Sequence, residues 1–217
     1  MSLSITRFAG GPLETNAYLV ADEVTNEAIV IDAPPEVTAA ITQAVATGGY
    51  TVGAIVITHG HWDHIVDTRA LQDALKAPVL TSSGVTNRIT HPVAGTSPLP
   101  VVPGTVDREL NAGDTVSVGS HTFTILDVPG HDPAHIALYS AGDKLFFGGD
   151  VIFPGGHGTT QIPGSDQQTM DETLKRLLEI PADVTTYPGH GTHTTFGAER
   201  NWMNEHAAHA ATTSSQG

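Results

Sequence analysis

Short apolar segments alternate with longer amphipathic segments from one end of the chain to the other. The short segments are rich in β-branched, aliphatic and aromatic residues and are bounded by Gly, Pro or polar turns, so they predict strands. They cover residues 16–20, 27–32, 53–57, 115–118, 121–128, 136–140, 144–147 and 183–187. Apolar residues at helical spacing predict helices over 34–47, from about 66 to before Pro78, over 165–180 and over 197–209.

Strands and helices occur in both halves of the chain, and no long linker separates the halves. This alternation is typical of a layered α/β protein in which sheets pack together and helices lie outside. Residues 91–103 are rich in Pro, Gly, Ser and Thr and predict a surface loop. At 217 residues the chain has the length of one generous domain. We expect a single domain over 1–211 and a polar tail over 212–217.

The composition excludes several classes of protein. Apolar residues make up 39% and charged residues 15% of the chain, as in a compact globular domain. The formal net charge is −14 and there is no basic cluster, so binding to nucleic acid is not expected. No apolar run approaches the roughly 20 residues that span a bilayer. The N-terminus lacks the features of a secretory signal, so we predict a cytoplasmic protein with no membrane partner.

Histidine is unusually abundant in this chain. There are 12 His but only 9 Lys and Arg together, and there is no Cys. The lack of Cys excludes disulfides, thiolate metal sites and cysteine nucleophiles. Any bound metal must therefore be held by His, Asp and Glu.

Four predicted strands end in a short turn that leads directly into a His or an Asp. In chain order these residues are His59, His131, Asp150 and His190, and the last three each follow a Gly. Glycine lets the backbone bend tightly and approach a shared centre. If these strand ends lie on one edge of the sheets, the four side chains converge.

The segment 58–64 reads Thr-His-Gly-His-Trp-Asp-His. His59 and His61 are two residues apart in an extended segment, so they project to one side and can share a metal ion. Asp63 and His64 follow a local bend and can face a second ion. Two divalent ions roughly 3.5–4 Å apart would deprotonate a bridging water. A buried His/Asp cluster without a metal would contain costly unpaired polar groups. His91, His121, His206 and His209, by contrast, are interpreted as isolated histidines.

The segment 58–64 resembles the His-x-His-x-Asp-His motif of the metallo-β-lactamase superfamily. Pro129-Gly130-His131, Gly148-Gly149-Asp150 and Pro188-Gly189-His190 follow in the family's order, and the resemblance covers nearly the whole chain. It implies a four-layer αββα sandwich with metal ions at one edge. It also implies the site residues: His59, His61 and His131 at the first metal, Asp63, His64 and His190 at the second, and Asp150 between both.

Within the superfamily, the chain resembles glyoxalase II-type (hydroxyacylglutathione hydrolase-like) enzymes, because β-lactamases lack a bridging aspartate at the position of Asp150. The resemblance implies a two-metal hydrolase that cleaves a thioester or related ester of a small molecule through a metal-bridging hydroxide. Asp63 would orient the nucleophile. His135 would be a buried hydrogen-bonding residue rather than a ligand. The expected cofactors are two divalent ions, Zn²⁺ first, with Fe or Mn as alternatives.

The positions that contact substrate in glyoxalase II-type enzymes carry different residues in this chain. Thr159 occupies the position of the Lys or Arg that anchors the glutathione carboxylate, and Gln161 that of a substrate-contacting Tyr. A neutral hydroxyl cannot replace a charged clamp. His157, Thr159 and Gln161 are the candidate substrate contacts. A mono-iron persulfide dioxygenase and a lactonase remain as alternative functions. The sequence leaves the thiol carrier, metal identity and oligomeric state open.

Overall fold

Two sheets, each of six strands within the described residues, face each other with their strands in mirrored order. The computed structural model describes residues 3–95 and 97–213. The first sheet has the order β1-β2-β3-β4-β5-β6 and the second the order β12-β11-β10-β9-β8-β7. The first sheet comprises β1 Leu3–Gly10, β2 Thr15–Asp22, β3 Glu27–Ile31, β4 Thr51–Val56, β5 Val79–Ser82 and β6 Arg108–Leu110. The second comprises β7 Thr115–Val118, β8 His121–Asp127, β9 Ile136–Ser140, β10 Leu145–Gly149, β11 Thr185–Pro188 and β12 Thr194–Thr195.

Helices cover the outer face of each sheet. Ile41, Leu71 and Ile89 of the first-half helices pack on the outer face of the first sheet, and Met170 and Met203 on that of the second. The helices are α1 Thr38–Gly48, α2 Trp62–Ile65, α3 Thr68–Leu75, α4 Ser83–Thr90, α5 Gln167–Leu177 and α6 Phe196–Thr213. A further core lies between the sheets. The expected four-layer αββα sandwich is therefore confirmed.

Strand direction places the loops that carry chemistry at one edge. β3, β4, β5 and β6 are parallel to one another, and β10 is parallel to β11. Parallel neighbours end on the same side of a sheet, so the segments that follow them are brought together. The segments after β4, β10 and β11 contain the predicted metal ligands, and β8 ends shortly before another.

Several elements differ from the sequence prediction. α1 begins at Thr38 rather than at residue 34, because Glu36 has a left-handed backbone with φ of 69° that a right-handed helix does not allow. At the start of α1, Asp67 accepts hydrogen bonds from the backbone N and Oγ1 of Thr38, at 3.1 and 2.7 Å. The strands β1, β5, β6 and β12 and the helix α4 were not predicted. Residues 91–103 contain no helix or strand among those described, as expected.

The last helix extends beyond its predicted end at residue 209. α6 continues to Thr213, into the predicted polar tail, and residues 214–217 lie outside the described residues. Among the helices described, none has the length and apolar character needed to cross a membrane.

Candidate metal centre

Seven side chains that follow strand ends meet at one edge of the sandwich. The segment after β4 supplies four of them from the first sheet, and the segments after β8, β10 and β11 supply one each from the second. They are His59, His61, Asp63, His64, His131, Asp150 and His190. The convergence expected from the strand ends is present in the structure.

The first group consists of His59, His61 and His131. One ring nitrogen of each lies within 4.8 Å of the others. His61 Nδ1 is 2.8 Å from His131 Nε2. His59 is fully buried, and the rings of His59 and His61 lie edge to face with centroids 4.8 Å apart. Three imidazoles facing one point can hold a single divalent ion.

The second group consists of Asp63, His64 and His190, which also offer one ligand atom each within 4.8 Å. Asp63 Oδ2 lies 3.3 Å from His190 Nε2 and 3.5 Å from His64 Nε2. The helix α2 contains Asp63 and His64, so the bend predicted after His61 is a single helical turn.

Asp150 lies between the two groups. Its Oδ2 is 3.3 Å from His131 Nε2 and 3.5 Å from His190 Nε2, and its Oδ1 is 3.4 Å from His64 Nε2. A carboxylate with one group on each side has the geometry of a bridging ligand. Gly189 is required beside it, because a Cβ at that position would overlap Asp150 Oδ1.

The donor set fits divalent metal ions. His59 Nε2, His64 Nε2 and Asp150 Oδ1 are buried and have no hydrogen-bond partner in the structure. Unpartnered buried polar atoms are costly, and a cation bound at this cluster would satisfy all three. Imidazole nitrogens and carboxylate oxygens without thiolates suit Zn²⁺, Fe or Mn.

The lowered pKa values of two histidines favour metal binding at the first group. Burial lowers the pKa of His61 to about 4, and burial holds the pKa of His59 well below its ordinary value. Both rings are therefore neutral at pH 7, and no proton competes for their lone pairs.

The carboxylates of the cluster stay ionised. Burial alone would raise the pKa of Asp63, but His190, His64 and Thr15 outweigh it and lower this pKa to about 2. Burial lowers the pKa of His64, yet Asp150 and Asp32 raise it above the ordinary value overall. In the metal-free chain a proton on His64 compensates these carboxylates, so metal binding releases protons.

Asp32 orients the cluster from behind and was not predicted. Its Oδ1 accepts from the backbone N of Thr58 at 2.8 Å, and its Oδ2 accepts from Thr58 Oγ1 and His64 Nδ1, both at 2.9 Å. His59 Nδ1 in turn lies 3.1 Å from Thr58 Oγ1. These contacts fix the tautomers that leave Nε2 of His59 and His64 facing the cluster. The sequence signal that could have identified Asp32 is its position directly after a buried strand.

Three further contacts orient the remaining residues. His131 Nδ1 donates to the carbonyl of Thr159 at 2.8 Å, and His190 Nδ1 donates to the carbonyl of Leu13 at 3.1 Å. Thr15 Oγ1 donates to Asp63 Oδ2 at 2.7 Å. Backbone carbonyls are common partners of metal-bound histidines.

His135 has the surroundings of a structural residue. It is buried, and its Nε2 accepts from the backbone N of Asp150 at 3.3 Å. Burial lowers its pKa to about 3, so the ring is neutral. It belongs to none of the metal-type groups found among the described residues.

Two of the three candidate substrate contacts touch each other, because the backbone N of Gln161 donates to Thr159 Oγ1 at 3.3 Å. Thr159 and Gln161 are exposed, and Thr159 uses its carbonyl to orient His131. His157 points towards the outer helices, where its ring centroid lies 4.8 Å from that of His206. Their role in substrate binding stays a prediction.

A cavity of about 750 Å³ opens beside His61. Trp62, Ile65 and Arg88 line one side, and the loop after α4, including Leu99 and several prolines, lines the other. This volume suits a small-molecule ligand, and the lining is mostly apolar. Arg88 is the one Lys or Arg of this lining, and its guanidinium is paired with Asp132.

Comparisons with known sequences find relatives named as hydroxyacylglutathione hydrolases. A hydroxyacylglutathione hydrolase of Chelativorans sp. (strain BNC1) is 33% identical over 79% of this chain, which covers only 60% of that protein. The hydroxyacylglutathione hydrolase GloC of Haemophilus influenzae is 28% identical over 86% of this chain and 90% of its own length. An uncharacterised protein of Aquifex aeolicus is 34% identical over 88% of this chain and 90% of its own length.

Solved structures show the same fold. BLEG-1 B3 metallo-beta-lactamase superposes with a TM-score of 0.82 at 28% identity, covering 91% of this chain and 97% of that one. TTHA1623 in a di-iron-bound form superposes with a TM-score of 0.75 at 33% identity, covering 90% of this chain and 96% of that one. ETHE1 from Myxococcus xanthus superposes with a TM-score of 0.74 at 28% identity, covering 89% of this chain and 80% of that one.

The family model of the metallo-beta-lactamase superfamily matches residues 10–190, which include all seven residues of the cluster. This fold binds divalent metal ions, and the relatives' names indicate metal-dependent hydrolases. The chain therefore belongs to the metallo-beta-lactamase superfamily.

Proposed function

We propose that this protein is a two-metal hydrolase that cleaves a thioester or related ester of a small molecule. The observation that carries the proposal is the pair of ligand groups on either side of Asp150. Together with Asp150 they contain three buried atoms without partners. Divalent ions bound there would supply the Lewis acidity that polarises a carbonyl and acidifies water. Two relatives named as hydroxyacylglutathione hydrolases support the same reaction class.

In this proposal each residue of the cluster has a defined role. His59, His61 and His131 would hold the first ion, and Asp63, His64 and His190 would hold the second. Asp150, which lies between the two groups, would serve both. Asp63 also accepts a hydrogen bond at Oδ2 from Thr15, which fixes the carboxylate and lets it orient the attacking water. A thiolate leaves without being protonated, so a thioester needs no dedicated general acid.

The cavity beside His61 suggests which thioesters bind. Its lining is mostly apolar, and Arg88, its one strong cation, is already paired with Asp132. Thr159 supplies no charge either. We therefore propose a substrate whose contacting portion is apolar and uncharged, rather than one held by its carboxylates.

A charge placed in this cavity tests that assignment. Leu99→Asp puts a carboxylate into the apolar lining, so we expect KM for the best thioester to rise roughly tenfold with kcat nearly unchanged. A group that contributes equally to substrate and transition-state binding changes KM alone. Val24→Asp is the matched control, because Val24 is 67% exposed and lies elsewhere. Equal KM values for the two variants would contradict the cavity as the substrate site.

A mono-iron persulfide dioxygenase is the second candidate, because ETHE1 from Myxococcus xanthus shares the fold at 28% identity. Lactonase activity is a third. The deciding experiment combines metal analysis of the purified protein with a panel of thioesters, lactones, a β-lactam and glutathione persulfide. We expect two ions per chain at the cluster around Asp150 and thioester hydrolysis without oxygen uptake. One iron per chain with persulfide-dependent oxygen consumption would replace the hydrolase proposal.

A further inference from the structure

We propose that helices α5 and α6 hold a second, separate site for a divalent transition-metal ion, formed by Asp171, His206 and His209. The sequence interpretation treated both histidines as isolated. In the structure one ligand atom from each of the three residues lies within 4.8 Å of the others. None of the three belongs to the cluster around Asp150.

The helix geometry brings these residues together. His206 and His209 are three residues apart on α6 and therefore share one face of the helix. That face packs against α5, where Asp171 is buried at 6% exposure. His206 Nδ1 lies 2.7 Å from Asp171 Oδ1, and the two histidine rings have centroids 6.1 Å apart. His209 is exposed, so an ion can enter from solvent.

A third histidine faces the same point. His157 Nδ1 donates to the carbonyl of Gly158 at 2.7 Å, which leaves the lone pair on Nε2. That Nε2 is 3.4 Å from Gln167 Nε2, which also contacts Asp171 Oδ1 at 2.7 Å and His206 Nδ1 at 3.3 Å. Gln167 thus occupies the space between His157 and the Asp171–His206 pair, and rotation of its side chain would open that space to an ion.

The donor types select the class of ion. Two imidazoles and one carboxylate, with a third imidazole nearby, suit Zn²⁺, Co²⁺, Ni²⁺ or Cu²⁺ and not the oxygen-seeking Mg²⁺ or Ca²⁺. One charged ligand keeps the site weaker than a structural zinc site with several thiolates. We therefore infer a reversible site whose occupancy follows the free metal concentration.

Occupancy of this site would stabilise a segment that contacts the active centre. His157 and Thr159 flank Gly158, and the carbonyl of Thr159 accepts the hydrogen bond from His131. An ion held at α5 and α6 with His157 beside it would restrict the segment that orients His131. The second site would thus act on the first through the backbone of residues 157–159.

Trp202 provides a local reporter. Its ring centroid lies 5.9 Å from that of His206, and the only other tryptophan is Trp62. In a Trp62→Phe background, fluorescence therefore comes from Trp202 alone. Co²⁺ quenches nearby tryptophan, so a Co²⁺ titration reports binding at the proposed site. Native mass spectrometry of the same samples counts the ions per chain.

We expect His209→Ala to raise the Co²⁺ concentration needed for half-maximal quenching at least tenfold. The variant should also bind one ion fewer per chain. Deleting an outer-shell partner alone costs metal sites roughly 10–100-fold, and a ligand costs more. Asp171→Asn, which keeps the shape of the side chain, should have the same effect. His193→Ala, which removes an exposed histidine outside both clusters, should change neither measurement. Identical titrations and ion counts for wild type, His209→Ala and Asp171→Asn would overturn the proposal.

Discussion

Replacing Asp150 with Ala is expected to reduce turnover at least 10²–10³-fold and to lower the metal content of the protein. Asp150 faces His64, His131 and His190 at 3.3–3.5 Å, so its loss removes the one carboxylate shared by both ligand groups. The expected loss is at least that caused by removing a single group that stabilises a transition state. Turnover on the best substrate and elemental analysis of the purified variant measure the two effects.

The control for this variant is Asp183→Ala. Asp183 is an exposed carboxylate paired with Lys144 beside the start of β11, at the opposite end of the strand from the cluster. A surface pair contributes little to stability, so activity and metal content should stay at the wild-type level. If Asp150→Ala kept full activity and full metal content, the bridging role assigned to Asp150 would be wrong.

Asp32→Ala is expected to weaken metal binding and to lower kcat by roughly 10–100-fold, although Asp32 is not placed at either ion. The substitution removes the acceptor for His64 Nδ1, so His64 loses the partner that holds its tautomer. It also removes the acceptor that anchors Thr58 Oγ1, which is the partner of His59. KM should change much less than kcat. Metal affinity, kcat and KM measured together separate this positioning role from a loss of folded protein.

The chain contains a matched control for Asp32. Asp143 also joins a histidine to a hydroxyl, with His121 Nδ1 at 2.7 Å and Ser140 Oγ at 2.6 Å, but it lies in the turn between β9 and β10, away from the cluster. Asp143→Ala should lower the melting temperature without changing metal affinity. If the two variants lost stability alike and neither lost metal affinity, Asp32 would be only a structural residue. Asp32→Asn, which retains one acceptor oxygen, should recover part of the loss.

The parts of the site predicted from sequence were those with local signals. His59 and His61 follow a buried apolar strand, and a Gly directly precedes Asp150 and His190, so strand, turn and ligand type are all visible within a few residues. Their convergence required only that parallel strands end on one side. The layered α/β fold followed from the same alternation of apolar segments.

The parts that were missed depend on contacts between distant segments. Asp32 lies 26 residues from Thr58 and 32 from His64, so nothing near it in sequence shows its role. Its left-handed backbone, with φ of 61°, is likewise invisible in the sequence. β1 has no fully buried residue, and its apolar alternation covers only Leu3 to Thr6 before Arg7 interrupts it. The histidines of α6 were judged isolated because their acidic partner is on another helix.

The division of the cluster between the two sheets has a further consequence. His59 and Asp63 belong to one half of the sandwich, and His131, Asp150 and His190 belong to the other. An ion bound by both halves acts as a reversible cross-link of the native state, with no counterpart in the unfolded chain. Resistance to proteolysis would therefore rise and fall with metal supply. Cells deprived of the metal would lose the protein itself as well as its activity.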